Sequence, residues 1–349
     1  MANKIKFILS TIGMISVSCI FSTSSLSAFA ASNDQDHMPS WWLKVRTQYW
    51  THGQINDTEY TKAFKYLVQI GMIQLESNED SKNTEKWGID KKPIAISNCQ
   101  DRTFPHVNWS DCDFSNAKLH DADLTGANLA RTNFNHADLR TAYLFRTNLA
   151  GANLQSADLT NADFPEANLK GVNMINASGK FINLLAADLD DANLSGGNFF
   201  NGAITGASFK NATLTGANFN LSEIKNVNFT GANLSGANFE DTVLQYASMI
   251  DANLTNANLK SADLNNAVFT GANLSGAQMQ NTGLGFARFE NATLNGANLN
   301  HADLGSADLH DADLTNADLT GADLSGADLT GANLSGAHLH CIGNPVCIR

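Results

Sequence analysis

The sequence predicts an all-β solenoid preceded by a small helical hairpin, and two observations carry the solenoid. The stretch "GADLSGADLTGANLSGAHLH" at 321–340 is nearly one five-residue unit written four times. A large apolar residue also recurs at every fifth position from Phe104 to Leu339, 48 positions in one register without an insertion, and only Gly179 breaks the rule. Neither regular element has that period. Five residues advance an α-helix by about 500°, so the stripe would drift around the axis. On a flat strand an odd period sends successive copies to opposite faces. The chain therefore turns once per repeat.

The elements follow in order. Residues 1–30 read as a signal peptide: Lys4 and Lys6 are the charged start, "FILSTIGMISVSCIF" from Phe7 is the apolar stretch, and Ala28-Phe29-Ala30 is a small-x-small cleavage pattern. The competing reading, an uncleaved anchor, needs about 20 apolar residues and the clean run is shorter. Cys19, followed by Ile20 and Phe21, reads as an ordinary cysteine of the apolar stretch rather than a lipidation site. The expectation is export, with cleavage near Ala30 and no transmembrane span in the mature protein.

Residues 38–75 read as a helical hairpin. Pro39 and Ser40 start a helix carrying Trp41, Trp42, Val45, Tyr49 and Trp50, and Gly53 stops it. Asp57 caps a second helix bearing Tyr60, Phe64, Leu67 and Val68, which Gly71 closes. The order Pro39-x-Trp41, Trp50-x-x-Gly53-x-Ile55-x-Asp57, Tyr66-Leu67-Val68-x-x-Gly71-x-Ile73 resembles a small module of exported proteins from ammonia-oxidising archaea and some bacteria; the resemblance implies no activity. Residues 76–93 are polar and charged and read as a linker, with Trp87 its one large apolar group.

From 94 to 340 the five-residue rule governs. Two residues before each large residue stands a small one, mostly alanine, with Asp or Asn between them. On an extended segment, residues two apart share a face. Each repeat thus points one Ala and one Leu or Phe inward and its Asp or Asn outward, and Ser, Thr, Gly and Asn supply turn chemistry at the corners. Coil length is read from the phenylalanines: five pairs at large-residue positions are 20 residues apart (114/134, 199/219, 209/229, 219/239, 269/289), and none are 15 or 25 apart. Pairs 10 and 30 apart occur too, so the count favours an even number of sides without deciding which.

The tandem Ala-(Asp/Asn)-Leu-(Ser/Thr)-Gly resembles the pentapeptide-repeat family over 104–340. That resemblance implies a right-handed quadrilateral β-helix with four repeats per coil, hence about twelve coils and a rod of roughly 55 Å at ~4.8 Å per coil. Its two ends need caps, which the atypical 94–103 and the tail 341–349 are placed to supply. At Gly179 the lost interior side chain predicts a local bulge or kink, with Phe181 or Ile182 swinging in.

Once Cys19 is removed, Cys99, Cys112, Cys341 and Cys347 remain, an even number in an oxidising compartment. Four cysteines allow three pairings. Two local bridges, Cys99–Cys112 and Cys341–Cys347, are the economical choice. A zinc site is the rival, but the paired C-x₂₋₄-C spacing is missing.

No constellation resembles an active site, and no cofactor or metal is expected. Ser and Asp sit where the repeat dictates them, and a filled convex rod offers no concave, desolvated site. His338 and His340 flank Leu339 and read as a solvated pair. The sequons at Asn193, Asn233, Asn253 and Asn273 arise automatically from the repeat. Asp303, Asp308, Asp313, Asp318, Asp323 and Asp328 occupy six consecutive outward positions, and no Lys or Arg appears between Arg288 and Arg349. They read first as solubilising charge, then as a cation-binding strip, then as a surface for a basic partner. The net charge of −12 disfavours phosphate-directed nucleic-acid binding. The functional expectation is an exported, non-catalytic rod serving as a structural or protein-interaction scaffold toward a protein or cell-surface component. The alternative is an acidic DNA mimic that binds a DNA-handling enzyme such as gyrase, as some intracellular relatives do. The export signal and the absence of an interrupting loop oppose it.

Overall fold

The computed structural model describes residues 105–348 and Cys99, together with two short strands, β1 (Ile5–Phe7) and β2 (Ile73–Leu75). The chain divides into two units, 1–93 and 94–349. In the first, β1 and β2 pair antiparallel with Ile5 opposite Leu75. The last three residues of the expected hairpin module are thus extended; the rest of that module, the cleavage site and the linker lie outside the described residues.

The second unit is a parallel β-helix with four sides. Each outward middle residue bridges the residue 20 positions on, from Asn108↔Asn128 to Asp318↔His338. Four repeats therefore make one coil. The N–H accounting closes in a consensus repeat such as 124–128, and it explains the sequence rule. Leu124 N–H donates to Tyr143 C=O of the next coil (2.7 Å), Gly126 N–H to Phe145 C=O (2.9 Å), and Asn128 N–H to Val107 C=O of the previous coil (2.9 Å). Ala127 N–H closes the corner onto Leu124 C=O (3.0 Å). The fifth group, Thr125 N–H, donates to the Asp123 carboxylate (3.1 Å). The outward Asp or Asn is thus a local cap for the one amide that the lattice leaves over, which is why those two residue types recur there.

Asparagine does a second job along the axis. Asn128, Asn148 and Asn168 each donate Nδ2 to the amide oxygen of the residue one coil earlier, all at 3.0 Å. Asn218, Asn238 and Asn258 form a second such ladder at 2.9–3.1 Å. Inside, Leu and Phe of successive coils stack: Phe199, Phe219 and Phe239 lie 5.3 and 5.2 Å apart, and Phe269 and Phe289 lie 4.7 Å apart. The spacing is that of hydrogen-bonded strands, so the core inherits it from the backbone. Where Thr or Ser replaces the inner alanine, its hydroxyl is satisfied by a carbonyl; Thr242 Oγ1 donates to Phe219 C=O at 3.0 Å.

Gly179 does not produce the expected bulge or kink. Gly179 N–H meets Asn198 C=O at 2.7 Å, and the bridges on both sides of Ser178 are intact. A Cβ at Gly179 would stand 2.7 Å from Cδ1 of Phe199 and 3.4 Å from Cδ1 of Ile182. The next coil's larger ring and Ile182, both fully buried, occupy the space. Phe181 stays outside, edge-on to Phe200 at 5.9 Å.

The ends differ from the middle. Cys99 is bonded to Cys112, whose side chain takes an inner position, with Cα atoms 5.7 Å apart. Trp109 is fully buried there, 4.3 Å from Phe114. At the other end the register slips by one residue: Asp323 bridges Ile342, 19 positions on. Cys341 is bonded to Cys347, and a short 3-10 helix, Pro345–Ile348, follows the slip. Asn344 ties the tail to Ala327 C=O at 3.2 Å. Leu329, Leu334 and Leu339 are only partly buried, so this cap covers the last coil incompletely.

Candidate interaction surfaces

Winding the sequence on a 20-residue coil redistributes the residues singled out by linear reading. The six aspartates do not form one strip, because consecutive repeats occupy consecutive sides. Asp303 stacks on Asp323 on one side and Asp308 on Asp328 on the next, whereas Asp313 faces Asn333 and Asp318 faces His338. Each carboxylate also accepts the N–H two residues on, at 2.9–3.0 Å. The Ser325 hydroxyl and N–H hold Asp323 below the usual carboxylate range, and the Thr330 hydroxyl and N–H do the same for Asp328. Asp318 is held down by Thr320, with a smaller contribution from His338, whose Nδ1 is 3.9 Å away. These acids are engaged with their own backbone first.

Among the described residues there is no group of three or more His, Cys, Asp or Glu arranged to hold a metal ion. A shallow depression is lined by His120, Asp121, Arg140, Thr141, Thr160 and Asn161. Its charges are already paired: His120 Nδ1 lies 2.9 Å from Asp121, and Arg140 grips Asp138 through two bonds of 2.7 Å. That fork pulls Asp138 down to about 2. The sequon residues Asn193, Asn233, Asn253 and Asn273 share one side, since they are separated by multiples of 20.

Linear reading missed a further set. Six large hydrophobic residues are exposed among the described residues: Tyr143, Phe181, Leu221, Tyr246, Phe286 and Ile342. All but Ile342 lie on one side and the two corners that border it, because their positions in the 20-residue coil span only the first six places. Four of them, Phe181, Leu221, Tyr246 and Phe286, have φ between 58° and 60°. That left-handed corner position elsewhere carries Gly, Asn, Asp, other polar residues and, at 186, Ala, and bulky apolar side chains rarely adopt it. The same side lacks a continuous asparagine ladder; its outward residues include Tyr143, Ala203 and Val243. The signal was present in the sequence as bulky residues at corner positions congruent modulo 20, and only the coil length makes it readable.

A filled four-sided solenoid whose chemistry lies on its outer faces belongs to the class of β-solenoid repeat proteins. Matches to pentapeptide repeats, in eight copies, run from 108 to 178 and from 204 to 340. The chain belongs to the pentapeptide-repeat family, and its coil is the right-handed quadrilateral β-helix. The unmatched 179–203 is the stretch around Gly179, where the lattice nevertheless continues. HetL of the cyanobacterium Nostoc, a pentapeptide-repeat protein involved in heterocyst differentiation regulation, is 31% identical, over 70% of this chain and 94% of its own, with a TM-score of 0.25. Rfr23 of the cyanobacterium Cyanothece is 28% identical over 35% of this chain and 91% of its own, at 0.22. Full-length QnrB1, a plasmid-mediated fluoroquinolone resistance protein, is 18% identical over 67% of this chain and 92% of its own, at 0.23. No curated protein sequence matches the chain.

Proposed function

We propose that this chain is an exported, non-catalytic rod that acts as a structural or protein-interaction scaffold. The observation that carries the reading is the contrast between its sides. On the regular sides the outward amides and carboxylates are consumed by the lattice itself, as in the ladder Asn218–Asn238–Asn258. One side keeps side-chain caps, at Asp123, Asp263 and Asp303, and adds exposed apolar residues at its two left-handed corners, where exposure and backbone strain are borne together. Such a surface suits recognition by contact. Export rests on the Lys-apolar-AxA arrangement of residues 4–30.

Mass spectrometry of the native protein tests this reading. A mature start near Ala31, outside the cytoplasm, is expected. An intact Met1 in the soluble cytoplasm would overturn export and transfer the argument to the DNA-mimic alternative, which a gyrase supercoiling assay with the purified chain would then decide.

A further inference from the structure

We propose that the apolar side is a homodimer interface, in which a second copy of this chain lies antiparallel across it about a two-fold axis passing beside Ala203. The inference rests on the interaction-rod reading and names its partner. An antiparallel two-fold keeps each column of the coil facing the same column of the second copy and reverses the order of coils. Centred on Ala203, it sets Phe181 against the second copy's Leu221, and Phe200 against its own counterpart, with the small Ala203 at the axis allowing close approach.

The polar groups on this side are self-complementary in the same register. Tyr143 falls opposite the second copy's Asp263, and Tyr246 opposite its Glu166, so that phenol donors meet carboxylate acceptors. The one like-charged opposition is Arg140 with Lys260. Each already lies beside a carboxylate of its own chain, Arg140 with Asp138 at 2.7 Å and Lys260 with Glu240 at 3.9 Å. In this register Asp163 falls opposite the second copy's Val243 and Glu223 opposite its Asn183, so no carboxylate meets a carboxylate, as several do when the copies run parallel. The parallel arrangement sets Asp163, Glu223 and Asp263 each against itself.

The size is adequate. Seven coils at ~4.8 Å and seven residue positions at ~3.3 Å give a patch of roughly 30 by 20 Å. About 600 Å² from each copy, or ~1,200 Å² in total, reaches the lower bound of specific interfaces. Association is therefore expected to depend on concentration in the micromolar range.

Sedimentation velocity on the full chain from about 1 to 100 µM is expected to show a monomer–dimer equilibrium. In a Cys19→Ser background, Ala203→Cys should yield a covalent dimer with a short bis-maleimide, whereas Thr213→Cys, on the opposite side, should not. Phe181→Asn and Leu221→Asn should each weaken association by about tenfold or more. Because asparagine accepts the left-handed corner better than Phe or Leu, neither should lower the unfolding midpoint. A chain that stays monomeric to the highest concentration overturns the proposal and leaves export and scaffolding standing. So does a dimer that Ala203→Cys fails to capture, as end-to-end stacking through the partly covered last coil would give.

Discussion

Restoring the repeat consensus at Gly179 should destabilise the rod. In the consensus this inner position carries leucine, so a sequence-based repair would write Gly179→Leu. The structure leaves no room for it. The first added carbon would sit 2.7 and 3.0 Å from two ring atoms of Phe199 and 3.4 Å from Ile182. The ring cannot tilt away freely, since it is fully buried and stacked on Phe219 at 5.3 Å. Removing glycine's backbone freedom stabilises by about 0.4–1 kcal/mol, whereas overpacking costs about 1–3 kcal/mol. Gly179→Ala is therefore expected to lose roughly 1 kcal/mol, and Gly179→Leu roughly 2–3 kcal/mol. The double variant Gly179→Leu/Phe199→Leu returns both positions to consensus and should recover most of the loss. Chemical denaturation followed by circular dichroism measures the midpoints. Hydrogen exchange across 175–205 shows whether the loss is local, as it should be in a rod whose coils contact only their neighbours. A midpoint for Gly179→Leu at or above wild type, or a double variant no better than the single, would refute the account of how the gap is filled.

Three further outcomes are expected. Asn238→Ala removes a ladder donor, a ladder acceptor and the cap on Glu240 N–H, and should cost about 1–3 kcal/mol; Asn238→Asp keeps both acceptor roles and should cost less, a ranking that thermal denaturation can check. Asp138, held down to about 2 by the Arg140 fork, contributes stability that is present above the ordinary carboxylate pKa near 4 and lost as pH falls through 2; Arg140→Gln should shift the Asp138 carboxyl resonance titration upward and remove this contribution. Replacing Cys341 and Cys347 by serine should raise hydrogen exchange in 320–348, where Leu329, Leu334 and Leu339 are only partly covered, while coils between 149 and 289 keep their protection; a uniform loss along the rod would contradict local clasping.

The lattice was legible because its determinants are local and repeated. Period, inward Ala and Leu, outward Asp or Asn, and the 20-residue recurrence of Phe are all visible without coordinates. Two kinds of information were not. The gap at Gly179 is filled by Phe199, 20 residues later, so linear reading of "NASGKFINLL" saw a missing side chain and not the ring that replaces it. The aspartates 303–328 are consecutive in the sequence, and four sides per coil already stack Asp303 with Asp323 and Asp308 with Asp328; what stayed hidden is that Asp318 faces His338 and Asp313 faces Asn333. The outward Asp and Asn residues hid a structural role as well. Their sequence position says exposed and polar; only the hydrogen-bond accounting shows that Asp123, Asp263, Asn238 and others like them satisfy the fifth amide of their own repeats.

That accounting also explains why one side can differ from the others without unravelling the rod. The bridges between coils are made by backbone groups, so Tyr143, Ala203 or Val243 can stand where Asn stands elsewhere and the bridges remain. What is lost is the side-chain cap and ladder, and at the corners each bulky residue at positive φ adds strain of order 1–2 kcal/mol. The placement of those corners follows from the same energetics. Phe181, Leu221, Tyr246 and Phe286 all lie in coils that have paired coils above and below, and none lies at either end. Strain in an end coil would be released by fraying that coil alone. Strain in an inner coil can be released only by breaking the pairing on both sides of it, so the interior of the rod is where a non-consensus surface persists. A recognition surface in a solenoid of this kind is therefore expected along the middle of one side, where its substitutions can be tested without loss of fold.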